Sequence, residues 1–130
     1  MITSKTIELE DNGEKLSFEI RKMSAVDGER WFLKALCLVG QGLNMDLDEL
    51  SSNGLNANEL VKALCKVPFD DSYVLMNELL SCVYRKIDKK MTEQVTIDTV
   101  SGYITNPINL MKLRIEVIKY NFDFFSKLKG

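Results

Sequence analysis

Histidine is absent from this 130-residue sequence. Without the commonest general base and transition-metal ligand, Ser-His, Cys-His and histidine-zinc sites are excluded. Cysteine is scarce and odd in number: Cys37, Cys65 and Cys82 each fall in a helix-like apolar run. That placement argues against a disulfide framework and predicts buried free thiols. Long hydrophobic runs are missing as well. The longest unbroken one, "ALCLV", is far shorter than the ~20 residues of a membrane span. The opening "MITSKTIELE" has no apolar h-region, so the expectation is an unprocessed cytoplasmic protein that makes no membrane contact. Nor does one sign of charge dominate, since 17 basic residues face 19 acidic ones for a formal net charge of −2. No global positive field exists to hold phosphates, which disfavours nucleic acid as a partner.

What is present fits one core. The chain is 45% apolar and 28% charged, near globular averages, and its length suits a single domain over residues 1–130. Lys5 to Glu10 and Lys15 to Arg21 alternate apolar with polar around Asn12-Gly13. That dipeptide is the strongest short signal for a type I′ hairpin, because both turn residues must adopt positive φ. Ile7 and Leu9 on one strand, with Leu16, Phe18 and Ile20 on the other, form its apolar face. Two strands alone are marginal, so that face must pack on helices.

Ser24 is a candidate cap for a helix that runs apolar until Gly40 and Gly42, residues that favour a helix stop. A second helix is expected over Asn56–Val67, ended by Pro68. A third is expected over Asp70–Lys89, with Tyr73, Met76, Leu80, Val83 and Ile87 as its core stripe at spacings of three and four. "EQVTIDTVSGYIT" is β-branched and holds a Gly, a pattern that gives weak support to a short strand. The last helix opens at Pro107 with Asn106 as cap. The expected fold is therefore α+β and mostly α: a hairpin over residues 1–22 on a body of about four helices over 24–128, closed by a long C-terminal helix.

Several chemical patterns fail on inspection. Asn44, Asp46 and Asp48 alternate like a calcium loop, but Glu49 stands where the glycine is needed and Leu55 where the closing glutamate is needed. Gly40, Gly42 and Gly54 make no phosphate-binding fingerprint. The pairs Asp70/Asp71 and Glu8/Glu10 are explained by a helix start and a hairpin face, not by acid–base work. The basic run "YRKIDKKM" reads as cations complementing the end of the third helix, with a weak nucleic-acid contact through Arg85 to Lys90 as the alternative. No catalytic residue, cofactor site or metal site is expected.

The last helix is the unusual element. Leu110, Leu113, Val117, Tyr120 and Phe124 form one stripe, and Met111, Ile115, Ile118, Phe122 and Phe125 form another, centred roughly 145 degrees away. Arg114 and Asn121 lie on the line between them and need polar partners if buried. Either both arcs are covered by the domain itself, or one is a protein interface. On the second reading Tyr120, Phe124, Phe125, Arg114 and Asn121 are the partner-binding candidates, with Trp31 and Phe32 packing the opposite arc. Such a surface also predicts self-association in a partner's absence.

Three local patterns together resemble a known family: Phe18, Ile20 and Arg21 in an "F-x-I-R" strand; Glu29 and Trp31 in the helix after it; and Asn121, Phe122 and Phe125 in the final helix. The combination resembles the tail assembly chaperones of long-tailed bacteriophages and prophages. That resemblance implies a non-enzymatic protein of the host cytoplasm that binds the long, hydrophobic tape measure protein and helps recruit tail tube subunits. It also implies absence from the mature virion. Many such chaperones have a longer form made by ribosomal frameshifting, and this chain would correspond to the short one. A small regulatory or inhibitory protein-binding module is the competing expectation.

Overall fold

The computed structural model describes residues 4–43 and 57–122, with the side chains of 39–43 and 57–60 left out of that description. Strands β1 (Ser4–Asp11) and β2 (Glu14–Arg21) form the expected hairpin. Asn12 has φ 52° and Gly13 φ 83°, the doubly left-handed turn that only such residues adopt at low cost. Ile7 pairs with Phe18, and Leu9 with Leu16. Leu16, Phe18 and Ile20 are buried, and Ile7 and Leu9 pack against them at the margin of the core.

Helix α1 (Ala25–Leu43) begins as its cap predicts, the Asp27 N–H donating to Ser24 Oγ at 3.1 Å. It runs through Gly40, since an interior glycine costs a helix only about 1 kcal/mol, and its end at Leu43 lies one residue past Gly42, where a stop was expected. Helix α2 (Ala57–Leu64) unwinds through a turn to Val67 before Pro68, a little inside the expected bounds.

The larger correction concerns the third helix. It does not run from Asp70 to Lys89. Helix α3 (Phe69–Glu78) gives way to a 3₁₀ turn (Leu79–Cys82) and then to strand β3 (Val83–Lys86). Strand β4 (Thr92–Gln94) folds back on β3, giving an antiparallel sheet in the order β1-β2-β3-β4. The expected helical stripe is accordingly broken. Leu80 and Val83 are buried, but Tyr73 and Ile87 are exposed. The reason is tertiary. β2 carries the most buried residues of the hairpin, and its open edge needs hydrogen-bond partners, which β3 supplies by pairing Ile20 with Val83 and Phe18 with Arg85. The basic run therefore does not complement a helix terminus. Arg85 and Lys86 lie in β3, and the turn after them is closed by Asp88 Oδ1, which accepts from the N–H groups of Lys90 and Met91 at 2.7 and 2.8 Å.

A one-turn helix α4 (Ile97–Val100), capped by Thr96, leads to α5 (Pro107–Phe122). Asn106 caps α5 as predicted, accepting from the Ile108 N–H at 3.0 Å. The molecule is thus α+β: a four-stranded antiparallel sheet built on the N-terminal hairpin, packed on helices, with α5 across its inner face. No helix among the described residues is long and apolar enough to cross a membrane.

Cysteine placement also departs from expectation. Cys82 is buried, but Cys37 and Cys65 are exposed. Burial pushes the Cys82 thiol pKa up, which further suppresses its thiolate. Iodoacetamide is therefore expected to modify Cys37 and Cys65 in the native protein and Cys82 only after unfolding. Mass spectrometry of the two samples checks this.

Candidate docking groove

Helix α5 is held at both ends by polar contacts to the hairpin. At its start, the Asp11 carboxylate accepts from the Thr105 N–H (2.9 Å), Thr105 Oγ1 (2.6 Å), the Asn106 N–H (3.0 Å) and Asn109 Nδ2 (3.0 Å). Asn109 Nδ2 also donates to the Glu10 carbonyl at 2.9 Å. These bonds, led by those from the Thr105 and Asn109 side chains, hold the Asp11 carboxyl well below the usual carboxylate range. At the other end, Asn121 Oδ1 accepts from the Met23 N–H at 2.7 Å, and its Nδ2 donates to the carbonyls of Val117 and Arg21. Asn121 thus fixes the β2–α1 connection against the last helix. Its capacity for polar recognition is used inside the molecule.

The other expected interface residues fall in different places. Tyr120 is half-buried: Lys22 Nζ donates to its carbonyl at 2.6 Å and stands 4.6 Å from its ring centroid. Phe124 and Phe125 lie outside the described residues. Phe122 packs inward, stacked on Trp31 at 5.3 Å and tilted against Phe32 at 5.4 Å. Leu113, Val117 and Ile118 are buried with it. Among the described residues, most of the wide apolar arc is thus covered by the protein itself, and its line of greatest burial runs through Arg114 and Asn121. What stays open lies toward the start of α5, where Ile108 and Met111 are about half exposed, at 53% and 52%.

Met111 belongs to a groove of about 400 Å³ between α2, α3 and α5. Val61, Leu64 and Cys65 form one wall, Phe69, Tyr73 and Met76 another, and Pro107, Leu110, Met111 and Arg114 the third. Phe69 and Tyr73, at i and i+4 of α3, stack at 5.0 Å and are both exposed, a geometry that presents aromatic area outward at small entropic cost. Sequence reasoning missed this pair because it placed Tyr73 in a core stripe. The signal available was Phe69 directly after Pro68, which carries that stripe back by four residues to the first turn of the helix, where a second aromatic stands beside Tyr73.

Among the described residues, Arg114 is the one expected interface residue in the groove. It is 6% exposed, and its guanidinium carbon lies 5.6 Å from the Tyr73 ring centroid. Among the described residues no carboxylate is within ion-pair distance, all ion pairs being made elsewhere. Burial lowers its pKa, an effect opposed by Tyr73.

A second cleft, of about 440 Å³, surrounds the start of α1 and is lined by Arg21, Lys22, Arg30, Asp27, Glu78 and Tyr84 among others. Its cations are engaged, Arg21 with Glu19 at 2.8 Å and over the Tyr84 ring at 3.7 Å, and Arg30 with Asp27 at 4.0 Å. It offers an anion little net charge. In the basic run, Arg85 stacks over Tyr103 at 4.3 Å. The Asn44–Leu55 segment that imitated a calcium loop lies outside the described residues, and among those described no cluster of metal-ligating side chains occurs.

Comparison with known protein families, characterised proteins and solved structures finds no match. The groove's own chemistry therefore carries the functional argument.

Proposed function

We propose that this chain is a non-enzymatic tail assembly chaperone of the long-tailed bacteriophage type. It binds an apolar helical segment of the tape measure protein in the host cytoplasm, helps recruit tail tube subunits and is left out of the mature virion. The observation that carries the proposal is the open groove with the outward-facing pair Phe69–Tyr73 and the exposed Met111. Apolar surface of this kind suits the apolar face of a client helix and not a reaction at a polar centre. The sequence resemblance supplies the identity of the client. Its inner residues, Phe18, Ile20, Trp31 and Phe122, belong to the core, so they maintain the fold while client contact falls to the groove.

A groove between helices suits a helix better than a strand. Its walls offer no sheet edge, so a strand laid there would leave its backbone groups unpaired, whereas a helix satisfies its own. Co-expression with a helical tape measure segment tests the reading. The double variant Phe69→Ser/Met111→Ser, both positions exposed, is expected to keep the native circular dichroism spectrum and melting temperature but to lose co-purification. Undiminished retention by that variant overturns the proposal.

A further inference from the structure

We infer that the groove recognises a carboxylate set within the apolar face of the bound helix, and that Arg114 is the residue that reads it. This deepens the proposed function and rests on its claim that the groove docks a helix.

Asn121 and Arg114 share a place in the fold but differ in their partners. Both lie on the buried line of α5, seven residues apart and hence on one side of the helix. Asn121 is saturated by the hairpin's own backbone. Arg114 carries five N–H donors and a full charge, yet the group facing it is the Tyr73 ring. A buried guanidinium without an anion is unfavourable, because water has been removed and no counter-charge replaces it. The molecule elsewhere matches its well-placed cations to carboxylates: Arg21 to Glu19, Lys5 to Glu116 and Lys34 to Glu78. Arg114 is buried and has no such carboxylate among the described residues, and it forms part of the wall of the apolar groove.

The complement of that wall is an amphipathic helix with aspartate or glutamate among its apolar positions. A carboxylate delivered there accepts two parallel N–H bonds from the planar guanidinium in a water-poor site, the geometry for which arginine is best suited. Tyr73 engages the guanidinium through its hydroxyl as well as its ring, and the remaining N–H donors are left for the ligand. An uncharged amide at the same place would accept fewer bonds, and a lysine would set two buried cations together. The groove thus selects one acidic position against a background of apolar contact, a basis for choosing among many otherwise similar helices.

The test uses fluorescent amphipathic peptides of about 20 residues, leucine-faced, with a single glutamate at one of three successive apolar-face positions, each with a glutamine counterpart. Binding to the full chain is followed by anisotropy and located by Cys65 protection from alkylation. At least one glutamate peptide is expected to bind about tenfold or more tightly than its glutamine partner. That preference is expected to vanish in Arg114→Gln while Arg114→Lys keeps part of it. Because Arg114→Gln could also disturb folding, the peptide substitution in the wild-type protein is the primary arm.

Equal binding of glutamate and glutamine peptides, with Cys65 protected, overturns the carboxylate inference and leaves the docking reading intact. Preference that persists in a folded Arg114→Gln protein also overturns it. Glutamate-selective binding together with failure to retain a tape measure segment upholds the inference and removes the proposed client. Binding of no peptide at all overturns the inference and counts against helix docking in this groove.

Discussion

Trp31→Ala is expected to reduce the unfolding free energy by about 3–5 kcal/mol, a large part of the ~5–15 kcal/mol that holds a domain of this kind together. Trp31 is 2% exposed and stacks on Phe122, and its Nε1–H donates to the Leu75 carbonyl at 2.9 Å. One side chain therefore joins α1, α3 and the end of α5. Its loss opens a cavity at their junction and removes the indole hydrogen bond to the Leu75 carbonyl. Trp31→Phe separates the two contributions: it restores most of the ring and removes the indole hydrogen bond, for a loss of about 1–3 kcal/mol. Because Trp31 is the sole tryptophan, urea unfolding is best followed by far-ultraviolet circular dichroism. A Trp31→Ala protein with an unchanged midpoint would show that the three helices are held together by other contacts.

Asp11 is the second position where one change should have a large effect, and its effect should depend on pH. The carboxylate accepts from Thr105, Asn106 and Asn109 and joins the hairpin turn to the start of α5. Those bonds depress its native pKa below the value of about 3.9 for an unfolded aspartate. Depression means that the native state favours the ionised form more than the unfolded state does. The stabilisation is therefore complete above about pH 5, begins to fall near pH 4 and declines as pH drops toward the depressed native value. Asp11→Asn keeps the shape but sets an NH₂ group against the donors of Asn106 and Asn109. At neutral pH the variant should melt several degrees or more below the wild type. The gap should narrow as pH falls below about 4, where the wild-type carboxylate begins to lose its advantage. Paired urea titrations at pH 7, 5 and 3 check this. A gap that is the same at all three values would mean that the charge of Asp11 is irrelevant to the junction.

The hairpin was legible in the residues because its signals are local. Asn12-Gly13 dictates the turn, and the alternation of Leu16, Phe18 and Ile20 dictates the face. The caps at Ser24 and Asn106 were legible for the same reason, each being a side chain that binds a backbone group within three residues of itself. The stretch after Glu78 was not. In "LLSCVYRKI" the apolar residues satisfy a helical spacing as well as a strand's alternation, and over so short a run periodicity cannot choose between them. The choice was made by β2, whose unpaired edge lies more than sixty positions earlier in the chain.

The candidate site divides along the same line. The sequence by itself determined that α5 is apolar over too wide an arc for one-sided burial, that Arg114 and Asn121 share a line within it, and that no histidine chemistry operates. It could not determine which polar residue of that line is satisfied internally, because Asn121 meets its partners, Met23 and Arg21, only when the β2–α1 connection crosses the helix end. Nor could it place the open apolar surface at the start of α5, beside Phe69 and Tyr73, since that depends on α3 ending at Glu78 and packing beside α5 instead of running on as a long helix. Local backbone preferences and side-chain spacing are written in the order of residues. The pairing of distant surfaces, and therefore what is left uncovered for a partner, is decided only when the whole chain competes for the same buried positions.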